Sequence, residues 1–194
     1  MSGDYSRKRF NPEKHYQGVL RQQGRVDLDA DWNEYVDLQD RRWRAETIDV
    51  VGRCGVPAET PEGFKIDVSG GELTVGQGRM YVDGYVAENH GTAPALDGTI
   101  EEQYGTAALL VKDQPFGGPV PVPPQVRSLV YLDVWRREVI YLQAPDLIEP
   151  AVNVDTTTRN QTAWQVRMLS GIPADVNCET PLGDIPGWPA GNRL

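Results

Sequence analysis

Several residue types are scarce in this chain, and each scarcity excludes something. It has two cysteines, Cys54 and Cys178, too few for a disulfide scaffold or a four-cysteine metal site. Whether they pair is open from sequence. It has two histidines, His15 and His90, and neither stands at a metal-ligand spacing or beside a nucleophile motif. Basic residues are outnumbered, 19 against 28 acidic, for a net charge of −9. Such a field repels phosphate, so no nucleic acid is expected as a partner. No stretch of about 18 apolar residues occurs, so no membrane span is expected. The first ten residues lack an apolar core of the secretory type. The protein is expected in the cytoplasm, or outside the cell only as part of a released particle.

Glycine and proline are plentiful. The chain has 194 residues, with 20 glycines and 15 prolines. They make up about 18 % of the chain against a usual 12 % or so, and frequent turns follow. Asn11-Pro12-Glu13 reads as a helix start, with Tyr16, Val19 and Leu20 on one face and Gly24 ending it. The stronger helix runs from Asp29 to about Val51. Trp32, Tyr35, Val36, Trp43 and Ile48 recur at helical spacing, and Gly52 is its natural stop. Asp29, Asp31 and Glu34 lie at its start and Arg41, Arg42 and Arg44 later, an order that suits the helix dipole. Each tryptophan can bury on the order of 150–250 Å². A lone helix cannot supply that, so this one is expected to lie on a sheet or on a neighbouring subunit.

From Phe64 the period changes to alternation. Gly70-Gly71 and Asp83-Gly84 read as turns, the latter a type I′ hairpin. Further strands are expected over 106–111 and 128–142, with a turn near Arg136-Arg137, and over 163–168. Trp164, Val166 and Met168 share one face. Residues 115–124 hold five prolines and read as a rigid connector. The expected class is α+β: N-terminal helices followed by a mainly antiparallel β domain with extended Gly/Pro-rich loops and arms. The expected divisions are 1–57 (arm and helical segment), 58–170 (β-rich) and 171–194 (a C-terminal arm or the start of a further region).

No reactive centre assembles from the sequence. Asp27-Leu-Asp-Ala-Asp31 has the first ligands of a calcium loop, but Trp32 and Leu38 stand where glycine and glutamate are needed. Gly76-Gln-Gly-Arg79 lacks a following helix for a phosphate loop. A Cys54/His90 pair is open, since such groups meet in space. No catalytic residue, cofactor or metal is assigned. The candidates for partner contact are Tyr5, Arg7, Phe10, Trp32, Arg41, Arg42, Trp43 and Trp188, because aromatics and arginine concentrate at interface centres.

Several segments carry a resemblance: Asp4-Tyr-Ser-Arg7, Phe10-Asn-Pro-Glu-Lys-His-Tyr16 and the long Gln22-Gln-Gly-Arg-Val-Asp-Leu-Asp-Ala-Asp-Trp-Asn-Glu34. Others are Gly78-Arg-Met-Tyr-Val-Asp-Gly84, Val130-Tyr-Leu-Asp-Val-Trp135 and Thr158-Arg-Asn-Gln-Thr-Ala-Trp-Gln-Val166. Together they resemble a bacterial family of unknown function associated with phage-tail-like contractile injection systems. The resemblance implies a structural or adaptor component, not an enzyme. Its implied partners are other particle proteins (tube, sheath, baseplate or cap) and, as a homo-oligomer, its own copies. Members of that family often continue into further segments, so this chain is either a short member or an anchoring N-terminal part. The alternative from another class is a carbohydrate-binding or glycan-hydrolysing module, with Trp135 and Tyr141 stacking on sugar rings.

Overall fold

Alternating runs broken by Gly-Gly and Asp-Gly turns fold into short antiparallel ladders, and the computed structural model has several of them. It describes residues 3–92, 99, 103–105 and 107–189. The elements are α1 (Asp29–Val51), β1 (Cys54–Gly55), β2 (Ile66–Ser69), β3 (Glu72–Val75), β4 (Gly78–Val82) and β5 (Tyr85–Asn89). There follow β6 (Leu109–Leu110), β7 (Ser128–Val139), β8 (Ile148–Glu149), β9 (Val154–Asp155) and β10 (Arg159–Ser170). The strands pair as β1-β4-β5, β2-β3-β6, β7-β10 and β8-β9. Two units result. One joins Met1–Arg53 to Arg137–Gln161, and the other joins Cys54–Arg136 to Thr162–Leu194.

The expectation of N-terminal helices is corrected. One α-helix is present among the described residues, and Pro12–Lys14 is a single 3-10 turn. Asn11 does cap it, its side-chain oxygen accepting from the Glu13 N–H at 2.9 Å. The turn then stops at His15, at φ 54°. The proposed apolar face explains why. Tyr16 and Leu20 are exposed, so nothing offsets the cost of nucleating so short a helix.

α1 starts after Leu28, which cannot cap, and ends at Gly52, whose N–H donates to the Ile48 carbonyl at 3.0 Å. Its first turn is acidic but its last turn carries no basic residue. The arginines sit too far back to help that end, and Arg42 instead pairs with Glu46 at 2.9 Å.

In the second unit, β4 and β5 form the expected two-residue hairpin, with Val82 opposite Tyr85 and positive φ at both Asp83 (47°) and Gly84 (81°). The turn expected at Arg136-Arg137 does not exist. β7 runs straight through both arginines and pairs with β10. Neither arginine favours the left-handed backbone that a tight hairpin needs. Of the strand expected over 106–111, Thr106 lies outside the described residues, and the ladder with β3 holds only Leu109 and Leu110.

The main core of this unit gathers Phe64, Leu73, Val75, Ala87, Val111, Val134, Trp164 and Val166. Trp164 is its keystone. Its ring meets Phe64 edge-on at 4.9 Å, and its indole N–H donates to the Glu88 carbonyl at 2.7 Å. Two buried amides tie loops to this core. Asn89 donates to the Val75 and Gly76 carbonyls at 3.1 and 3.0 Å. Gln114 accepts from the Val166 N–H at 2.6 Å and donates to the Gly118 carbonyl at 3.0 Å. Gly76 is confined by the Glu62 carbonyl, which a Cβ would approach to 2.0 Å.

Trp164→Ala is expected to destabilise the second unit by about 3–5 kcal/mol through lost packing and a residual cavity. Trp164→Phe, which keeps a ring but loses the donor, costs less. Urea unfolding followed by far-UV circular dichroism measures both, and equal losses would show that ring packing is not what matters there.

Candidate interaction surface

The N-terminal arm of the first unit is held by polar bonds to residues far away in sequence. Gly3 N–H donates to Glu138 Oε1 at 2.7 Å. The Tyr5 hydroxyl donates to the same oxygen and lies 2.6 Å from Thr158 Oγ1. Ser6 donates its N–H and hydroxyl to Asp29 at 2.8 and 2.6 Å. Arg9 pairs with Asp31. The acidic start of α1 is therefore an anchor for the arm as well as a dipole partner.

These bonds shift the titrating groups. The Tyr5 hydroxyl holds Glu138 below its ordinary value of 4.5, helped by Gly3 N–H. The Ser6 hydroxyl and N–H hold Asp29 below 3.8. Burial, and then Glu138, push Tyr5 above 10.0. Depressed carboxylates favour the folded arm above their ordinary values and lose that contribution as pH falls through the depressed ones.

α1 has two faces. Ala30 and Leu38 are buried on one. Trp32, Trp43 and Val50 fall within about 20° of one another on the opposite face, at 3.6 residues per turn. They are 61 %, 69 % and 84 % exposed. Tyr35 flanks them, its ring 6.1 Å from that of Trp32. Trp32 and Tyr35 also border a groove of about 1020 Å³ whose other side is built from Tyr16, Leu20 and Val26. Charged side chains, among them Arg21, Arg25, Asp27 and Glu34, also line that groove, which lies wholly within the first unit.

The predicted contact residues divide accordingly. Trp32 and Trp43 stand on the exposed face. Phe10, Arg41 and Arg42 line one smaller groove of about 480 Å³ beside α1. Tyr5 is committed to Glu138. Arg7 is exposed and lines neither of these two grooves. Trp188 packs on Tyr131 at 4.7 Å in the second unit. There it joins a small cluster of Ile172, Val176 and Ile185. Arg127 straps this segment by donating to the Pro173 and Val176 carbonyls at 3.0 and 2.6 Å. Sequence reasoning missed Glu138, Asp29 as an anchor, and Arg127; their partners lie 23 to 135 residues away.

The chemical candidates do not converge. His90 lies within 3.0 Å of the Gln103 carbonyl and stacks on Tyr104 at 5.4 Å. Burial, and then the bond to Glu88, push the Tyr104 hydroxyl well above its ordinary range. Cys54 and Cys178 are free, exposed thiols that line one groove of the second unit, to which His90 does not contribute. Among the described residues no three His, Cys, Asp or Glu side chains gather to hold a metal ion. None of the described helices is long and apolar enough to cross a membrane.

The profile of a family of unknown function (DUF6519) matches residues 1–182. The chain belongs to this family. The match takes in the arm, α1 and all ten strands given above. No curated protein and no solved structure matches the chain.

As pH falls, the Gly3 and Ser6 amide signals are expected to move at midpoints below 4.5 and 3.8 respectively. Nuclear magnetic resonance titration reads them. Glu138→Gln should abolish the Gly3 step and spare that of Ser6. A single midpoint shared with global unfolding would show that these bonds do not hold the arm separately.

Proposed function

We propose that this chain is a structural adaptor, not an enzyme, that docks on neighbouring subunits of a phage-tail-like contractile injection particle. The carrying observation is the exposed aromatic face of α1. A helix whose two tryptophans face water keeps apolar surface that association would cover. The adjoining groove extends that surface, and the charged residues around it suit a polar rim. The particle itself is inferred from the sequence resemblance; the partners in view are tube, sheath, baseplate or cap proteins. On this reading the subunit is made in the cytoplasm and travels with the particle.

A second reading has an observation of its own. Tyr131, Trp135 and Trp188 line the groove of the second unit, which has a volume of about 820 Å³. Aromatic faces beside Gln165 and Asn177 suit a sugar. Asp133 is the one carboxylate among the described lining residues, and it already engages Gln165 at 3.0 Å. Glycoside hydrolysis commonly uses two, so this reading is one of binding. Tyr141 belongs to the other unit.

Particles purified from a producing strain test the first reading. The chain is expected at fixed stoichiometry in them, and Trp32→Ser/Trp43→Ser should reduce its incorporation at least tenfold without unfolding it. Intact particles lacking the chain would refute the proposal. Tryptophan quenching by soluble glycans, without co-sedimentation with particles, would favour the second reading.

A further inference from the structure

We infer that the free edge of β7 takes in an extended, uncharged segment of a partner protein as an added strand. The α1 surface plays no part in this. The groove of the second unit is thereby given to a peptide and not to a sugar.

The hydrogen bonds identify the edge. Among the described strands β7 pairs with β10 alone. The Gly171 N–H donates to the Arg127 carbonyl at 3.0 Å, which levels residue 127 with 171. Gln165 meets Asp133 at 3.0 Å, which levels 165 with 133. In an antiparallel pair, residues bonded across the ladder alternate with residues whose N–H and C=O point outward. Arg127 makes the odd-numbered residues of β7 the bonded set. Val166, level with Leu132, agrees. Its N–H and carbonyl turn away from β7 to Gln114, at 2.6 and 3.4 Å. The backbone groups of Val130, Leu132 and Val134 therefore point away from β10, and no other described residue bonds them.

The groove follows this edge. Every residue from Leu129 to Trp135 lines it. Neighbouring side chains of a strand point to opposite faces, so a groove that touches all of them runs along the rim. Met80 and Val82, on the side of the main core, form one wall. Ile185 and Trp188, on the side of the smaller cluster, form the other. An edge recessed between walls cannot meet the same recessed edge of a second copy, but it admits one extended segment. Asp133 and Arg167 are the charged side chains among the described lining residues, and they lie 3.6 Å apart. Their charges offset each other, so the groove favours an uncharged occupant. The lined stretch of β7 spans about 23 Å, which matches a partner segment of about seven residues. Main-chain bonds to the edge supply affinity, and the two walls select alternate side chains. A sugar does not repeat its donors and acceptors at the spacing of alternate strand residues; a peptide does.

Amide hydrogen exchange of the full chain tests the edge. The N–H groups of Val130, Leu132 and Val134 should exchange at least tenfold faster than those of Tyr131 and Asp133. Phage-displayed random seven-residue peptides, selected on the full chain, then test the occupant. Enriched peptides should lack charge, alternate apolar side chains and slow exchange at those three amides. In a synthetic copy of one such peptide, N-methylation of one alternate set of amides should weaken binding at least tenfold, and of the other set less than threefold. Uniformly slow exchange in the free chain would mean that the chain covers its own edge, and would overturn the inference. So would the absence of any enriched peptide, equal tolerance of both methylated sets, or protection of the three amides by soluble glycans and not by peptides. Incorporation into particles through α1 is read separately by Trp32→Ser/Trp43→Ser, so the failure of one reading is told apart from the failure of the other.

Discussion

One constraint organises the first unit: a 23-residue helix with apolar side chains on two opposite faces. An isolated helix is held mainly by what packs on it, since nucleation is costly and propensity weak. Ala30 and Leu38 are buried on one face, while Trp32 and Trp43 remain in water on the other. The polar staples from Ser6 and Arg9 to Asp29 and Asp31 fix the arm at the helix start. The surface left over is therefore a held, defined aromatic face. Holding it in advance lowers the ordering cost that association would otherwise carry.

The second unit is built differently. Its core is a set of short strands around Trp164, Phe64 and Val75, and its loops are tied in by buried amides. Asn89 satisfies the carbonyls of Val75 and Gly76 at the end of the four-residue β3, and Gln114 engages the Val166 backbone in the middle of the long β10. The C-terminal segment adds a second small cluster on Leu129 and Leu169, secured by Arg127. Prolines and glycines, abundant here, are tolerated because side chains take over work that longer ladders would do.

Much of this was legible in the residues, for local reasons. The change of period at Phe64, the Asp83-Gly84 hairpin, the stop at Gly52 and the buried Trp164 and Val166 all follow from spacing or turn chemistry. The short helix after Pro12 failed because its pattern was right but nothing covers it. The turn at Arg136-Arg137 failed because β7 finds its partner in β10, more than twenty residues on. The anchoring of Tyr5 was illegible for the same reason: a tyrosine in a polar arm does not name Glu138 as its acceptor. Of the contact surface, the tryptophan spacing on α1 was readable; the Leu20 and Val26 side of the groove was not, because it depends on the fold of an irregular segment.

The most direct test of the central claim is hydroxyl-radical footprinting of the full chain, read by mass spectrometry at Trp32 and Trp43. In dilute solution both rings should oxidise several-fold faster than Trp164, and they should become protected when the chain associates. Protection of both at every dilution would mean that the chain covers its own helix, and the account of α1 as a docking face would be wrong.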